Sequence, residues 1–238
     1  MKDRSADTAI YKAVPKVDGT LSLAGVCSGL AKGARIDFAR VAEKFYYVNG
    51  LERGYMVDET PFVWPTSEWP GDETTAEMVP LPIGQHLDIL SGRWLTSKDD
   101  ELFFSEYALP GIMDKTRNNR RFESKVLMIC SVQTGAYVSD ERAVYFVQGT
   151  DPNIWVPRKV LEYPATEWAR YPTLVNPSDF GIESTALSAL FGTPKGPVIG
   201  LPDGTAINLI EKNLQLPECY STGAIIVVDK TMILQSGV

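Results

Sequence analysis

The stretch "YYVNGLERGYMVD", residues 46–58, is an apolar run, a turn built on Asn49 and Gly50, and a second apolar run. A two-stranded ribbon of this length is marginal alone in water, because it has nothing on which to bury a face. Whatever covers it decides the fold.

The same order recurs along the chain. In "RWLTSKDDELFFSEY", residues 93–107, runs at Arg93 to Thr96 and Leu102 to Phe104 flank a polar turn at Ser97 to Asp100. In "AYVSDERAVYFVQG", residues 136–149, Tyr137 and Val138 precede a turn at Ser139 to Arg142 and a run from Ala143 to Val147. A looser copy, "PVIGLPDGTAINLIE" at 197–211, turns at Pro202, Asp203 and Gly204. Short runs bounded by turn residues are strand signals. Each copy also follows another apolar run: "ARIDFARVAEKF", "HLDILSG", "KVLMICSVQTG" and "TALSALFGTPKG". The unit thus has at least three strands.

Tyr46, Arg93 and Ala136 lie 47 and 43 residues apart, near the spacing of propeller blades. The next interval, to Pro197, is longer and reads as one blade plus an insertion. "GTLSLAGVC" opens the chain as a partial unit, and "GAIIVVDKTMIL" at 223–234 closes it as a hairpin. Blades set around an axis give every sheet neighbours to bury against. The expectation is one all-β, propeller-like domain over residues 1–238, with four or five blades of short antiparallel strands; a β-sandwich is the alternative.

Three connections are expected to be long loops, at 58–84, 108–125 and 151–185. The first holds five Pro, two Trp and six acidic residues, and Pro this frequent is excluded from central strands. The second carries Lys115, Arg117, Arg120, Arg121 and Lys125, with room for a short helical turn. Ordered loops on a compact scaffold commonly form interaction surfaces. Trp64, Trp69, Arg117, Arg120 and Arg121 are therefore the candidate subunit-contact residues, the tryptophans as exposed anchors. The competing reading folds both tryptophans back onto the edge of their own domain.

Composition narrows the function. A formal charge of −7 disfavours a surface that grips phosphate backbones, which needs Lys and Arg to displace counterions. No run approaches the roughly 18 apolar residues of a membrane span, and "MKDRSADTAIYK" has no signal-peptide core, so neither membrane insertion nor secretion by that route is expected. Cys27, Cys130 and Cys219 are odd in number and lack a CxxC pair, which reads as buried thiols from a reducing compartment.

Catalytic chemistry has few anchors here. His86 is the only histidine, so a triad or multi-histidine metal site must centre on it; at the head of "HLDIL" a structural role is expected. The hydrolase and phosphate-loop motifs are absent, and "GTPKG" is too short for a phosphate cradle. Asp88, Asp99, Asp100, Asp140 and Glu141 are the carboxylates that a propeller glycosidase could bring together. Asp58, Glu59, Glu68, Asp72, Glu73 and Glu77 could supply oxygens to calcium, but match no known calcium-loop spacing. The expectation is no enzyme, no cofactor and no metal.

The runs "FARVAEKFYYVNGLERGYM", "GQHLDILSGRWLTSKDDELFFSEY" and "VLMICSVQTGAYVSDERAVYFVQGTDP" resemble the tail nozzle, or packaged-DNA-stabilisation, proteins of short-tailed bacteriophages. The likeness covers most of residues 35–165 and concerns blade structure. It implies a virion tail protein, made in the host bacterial cytoplasm, that forms a homo-oligomeric ring, a hexamer, below the portal. Adaptor or head-to-tail connector proteins and other tail proteins would be its partners, and double-stranded DNA would pass without specific binding. Members of that family are typically longer. The alternative of another class is a propeller-type glycan-binding protein or glycosidase at the tail tip.

Overall fold

Strand follows strand along this chain, with only a single 3-10 turn, Pro152–Ile154, among the described residues. The structure is a computed structural model and describes residues 8–16, 20–31, 34–64, 77–176, 185–210, 223–228 and 231–236. A first hairpin joins β1 (Thr8–Pro15) to β2 (Leu21–Leu30). Blade 1 is the meander β3 (Asp37–Val41), β4 (Lys44–Val48), β5 (Arg53–Val57) and β6 (Thr60–Val63). After β7 (Met78–Pro80), blade 2 runs through β8 (His86–Leu90), β9 (Arg93–Lys98) and β10 (Glu101–Phe104). Next, β11 (Ile112–Asp114) pairs back with β7, and β12 (Asn119–Arg121) completes blade 2. Blade 3 is β13 (Val126–Val132), β14 (Gly135–Asp140), β15 (Val144–Gln148) and β16 (Arg158–Leu161). Blade 4 is β17 (Arg170–Val175), β18 (Ala186–Phe191), β19 (Val198–Gly200) and β20 (Ala206–Asn208). A last hairpin pairs β21 (Gly223–Val228) with β22 (Thr231–Ser236).

The first strands of the blades lie side by side in chain order, β3 by β8, β8 by β13 and β13 by β17, with β21 next to β17. That is how propeller blades line a common axis. The buried residues agree. A sandwich would have one core between two layers, whereas here a separate cluster lies between each successive pair of sheets. Tyr46, Val48 and Trp64 of blade 1 meet Leu87 and Trp94 of blade 2. Leu95, Leu102 and Phe104 of blade 2 meet Ile129, Ala136 and Val138 of blade 3. Cys130, Tyr137 and Phe146 of blade 3 meet Ala189, Phe191 and Val198 of blade 4. The fold is all-β and propeller-like, with four four-stranded blades.

Period-two alternation does this sorting. In β4, Tyr46 and Val48 face blade 2, while Tyr47 packs with Met56 against Ile10 and Leu30 of the first hairpin. The ribbon at 46–58 is therefore covered on both sides. Its turn forms as the sequence implies: Asn49 Oδ1 accepts from the amides of Leu51 (3.0 Å) and Glu52 (2.6 Å), and Gly50 takes φ 82°. In β14 every residue is buried, with Ala136 and Val138 turned to blade 2 and Tyr137 to blade 4. The Tyr137 hydroxyl donates to the carbonyl of Leu201 (2.7 Å), tying blade 3 to the β19–β20 turn.

Close packing leaves no room at Gly135, where an added Cβ would overlap the Val147 carbonyl oxygen of the paired strand. Gly135→Ala should cost about 1 to 3 kcal/mol, the range for overpacking, read as a lowered urea midpoint at unchanged slope.

Four expectations are corrected. The fourth copy is out of phase: residues 197–211 hold β19 and β20, the third and fourth strands of their blade, whereas the other hairpins are second and third strands. The long third interval follows from that offset, with no inserted segment needed. The connections are also shorter than expected, since 58–84 contains β6 and β7, 108–125 contains β11 and β12, and 151–185 contains β16 and β17. Residues 115–117 form a plain turn in place of a helical one. Cys130 is buried and free, but Cys27 is only partly buried, because it lies on a two-stranded hairpin with one covered face. Cys219 lies outside the described residues.

Candidate functional site

The first strands of the four blades bring a set of polar groups together near the axis. Asp37 comes from β3, His86 and Asp88 from β8, Ser131 from β13 and Arg170 from β17. Glu167 and Trp168 precede β17 in the chain, and Lys125 precedes β13.

Arg170 is the hub, its side chain 8% exposed. Its Nη2 donates to Asp37 Oδ2 at 2.8 Å and also to the Leu87 carbonyl, and its Nη1 lies 3.4 Å from Asp88 Oδ2. The carboxylates are further occupied by backbone. Asp37 Oδ2 accepts from the Leu87 amide (2.8 Å), and Asp88 accepts from the amides of Ser131 (2.6 Å) and Ile89 (2.7 Å). One guanidinium thus links blade 4 to blades 1 and 2, and Asp88 links blade 2 to blade 3.

Burial opposes the charge on Arg170, yet Asp37 and Asp88 more than offset it and its pKa is raised. Asp88 goes up as well, because desolvation outweighs the help from Arg170 and the two amides. The Cys130 thiol is pushed up to about 12 by burial and by Asp88, so it is a neutral core thiol with no nucleophilic character at neutral pH.

A second arm holds His86, which is fully buried. Its Nδ1 lies 3.9 Å from Asp37 Oδ2 and its Nε2 3.6 Å from Glu167 Oε1, both beyond hydrogen-bonding distance. The Trp168 ring sits against the imidazole at 4.4 Å between centroids, and the Arg35 guanidinium lies 5.4 Å from that ring. Trp168 adopts φ 70°, an unusual backbone for a bulky residue, which places a local strain beside the cluster.

Glu167 also takes a 2.9 Å hydrogen bond from Lys125. Burial works against its charge, but His86 and Lys125 prevail and hold its pKa at about 2, below the ordinary 4.5. The sign follows: a depressed folded pKa gives stability that is full above the unfolded value and is lost as pH falls from about 4.5 through about 2. Glu167→Gln should flatten the acid limb of a stability–pH curve measured by urea unfolding, and an unchanged limb would refute the assignment.

Chemically this arrangement is a staple. Two-carboxylate hydrolysis needs a pair of acids facing a shared space. The oxygens of Asp88 are taken by Arg170, Ser131 and Ile89. Asp99 and Asp100 sit in the β9–β10 turn, Asp140 and Glu141 at the β14–β15 turn. Asp140 Oδ1 there accepts from the amides of Arg142 (2.8 Å) and Ala143 (2.9 Å), a turn-forming role. Among the described residues no group of His, Cys, Asp and Glu could hold a metal ion. Three of the six acids of the 58–77 loop, Glu68, Asp72 and Glu73, lie outside the described residues.

The candidate contact residues separate. Trp64 is 2% exposed and packs edge-on against Tyr46 at 5.0 Å, so it belongs to the core between blades 1 and 2 and is no exposed anchor. The apolar rings of β4 and β5 next to it capture the indole. Trp69 lies outside the described residues. Arg117, 58% exposed, pairs with Asp114 (2.9 Å) and approaches Glu106 (3.6 Å). Arg121, 74% exposed, pairs with Asp100 (2.6 Å). Arg120 lies 5.7 Å from the Phe104 ring centre and donates to the Asn153 carbonyl, reaching the turn after β15.

The sequence reading missed Asp37, Glu167 and Arg170. Its available signal was a charged residue within three of the four first strands, in "RIDFARV", "HLDIL" and "ARYPTLV".

No family profile matches the sequence, and no curated protein does. Solved structures of similar shape include the extracellular domain of a protein described as a hybrid two-component system from B. thetaiotaomicron. It is 8% identical with a TM-score of 0.46, over 87% of this chain and 26% of that one. Another is the extracellular domain of a described one-component system from the same organism, 10% identical with a TM-score of 0.43, over 98% of this chain and 39% of that one. This chain spans less than two thirds of either. No helix among the described residues is long and apolar enough to cross a membrane.

Proposed function

We propose that this chain is a structural subunit of a short-tailed bacteriophage tail, of the nozzle type, which assembles into a ring through which the genome is held and then released. The observation that carries the reading is the axial staple. Asp37, Asp88 and Arg170 occupy the centre of the blades as ion-paired groups. DNA would therefore pass through the space enclosed by several subunits, never through the axis of a single one.

An acidic chain suits a wall past which DNA slides, since negative charge repels the phosphate backbone. The resemblance over residues 35–165 supports the same reading. Purified particles of the phage or prophage encoding the chain should contain it in several copies, seen by cryo-electron microscopy on the tail axis. Its absence from the particles overturns the proposal. The glycan-binding or glycosidase reading makes a different demand, a positive glycan array or turnover of a chromogenic glycoside by the isolated chain.

A further inference from the structure

Between the first hairpin and blade 1 lies a groove of about 440 Å³, floored by Ile10, Val26, Phe38, Phe45 and Met56. Glu43, Asp58 and Glu59 line it as well, so its apolar floor has an acidic border. Phe38 and Phe45 remain 41% and 42% exposed there. Exposed aromatic surface with a charged border is the mark of an interaction site.

Elsewhere the chain carries a feature of opposite character. The turn after β15 presents Ile154 and Val156 to solvent, 72% and 79% exposed. It is held rigidly. Asp151 caps it, and the buried Trp155 between the two aliphatic residues donates from Nε1 to the Gly149 carbonyl (2.8 Å) and packs near Phe104. Around it Arg120 bonds the Asn153 carbonyl, and Arg158 and Lys159 stand exposed in β16, Arg158 donating to the Asp203 carbonyl (3.2 Å) and Lys159 pairing with Glu162 (3.2 Å). A rigid turn that keeps two aliphatic side chains in water is preorganised for a partner.

We infer that the groove receives residues 154–156 of a second copy of this chain, the aliphatic pair entering between Phe38 and Phe45 and the basic residues meeting the acidic border. The two patches differ and belong to different blades. Such a contact is heterologous: each subunit offers one groove and one knob, and repetition closes into a ring. The inference deepens the proposed ring and rests on it for biological meaning.

Val156→Asp and Phe45→Asp should each weaken self-association about ten- to a hundredfold in analytical ultracentrifugation, as for a central contact residue. Both positions are exposed enough for the variants to fold, which thermal unfolding checks. An equimolar mixture of the two variants should give discrete heterodimers in native mass spectrometry, since one retains its groove and the other its knob. Wild-type chain that stays monomeric at its highest soluble concentration, or oligomers insensitive to both changes, overturns the inference. If insensitive rings are found in virions, the contact fails and the tail reading stands. If the mixture dimerises but particles lack the chain, the reverse holds.

Discussion

Replacing Arg170 with Met will cost about 3 to 5 kcal/mol, the effect of removing one partner from a buried charge cluster. The loss exceeds that of a single ion pair, because Asp37 and Asp88 would be left in a desolvated space with no cation between them. Urea unfolding at neutral pH measures it. Neutralising both acids in the same background, Arg170→Met with Asp37→Asn and Asp88→Asn, should recover stability relative to the single variant. A single variant within 1 kcal/mol of wild type, or a triple variant less stable than the single, would show that the cluster is not coupled as described.

Trp64→Ala should be almost as damaging, about 3 to 5 kcal/mol for removing a large buried aromatic. The indole contributes to the core between blades 1 and 2, touching Tyr46, with the Arg53 guanidinium 5.7 Å from its ring. The measurement is made on the isolated chain at low concentration, where no subunit contact contributes. A normal melting temperature there, with loss confined to assembled particles, would restore the role of exposed anchor.

Much of the blade pattern was legible because hairpins carry their own punctuation. Asn49 and Gly50 mark a turn that the structure forms, and the turns expected at Ser97 to Asp100 and Ser139 to Arg142 form in narrower bounds, at 99–100 and 141–142, with the strands running on to Lys98 and Asp140. Phase was harder. β17, "RYPTLV", contains a proline, follows another at Pro164 and runs into "NPSDFG", so it reads as connection, and the fourth copy aligns with the wrong pair of strands. The axial cluster was the least legible part. His86 and Asp88 could be picked out as isolated chemical groups, but Asp37 and Arg170 meet only because separate first strands converge, across 133 positions of sequence. No local motif encodes that meeting. Trp64 shows the converse: its acidic, proline-rich surroundings suggested exposure, while the ring packing that buries it comes from other strands.

Blade 3 has a neighbour on each broad side, and β14 is sealed along its whole length. It therefore acts as a keystone: the terminal ribbons can peel away and leave it standing, whereas damage to it bares an oily flank on blade 2 and another on blade 4 and leaves the Arg170 bonds to hold them together. Amide protons of β14 should be the last to exchange with solvent deuterium, and the order of dismantling should run from both ends toward the middle.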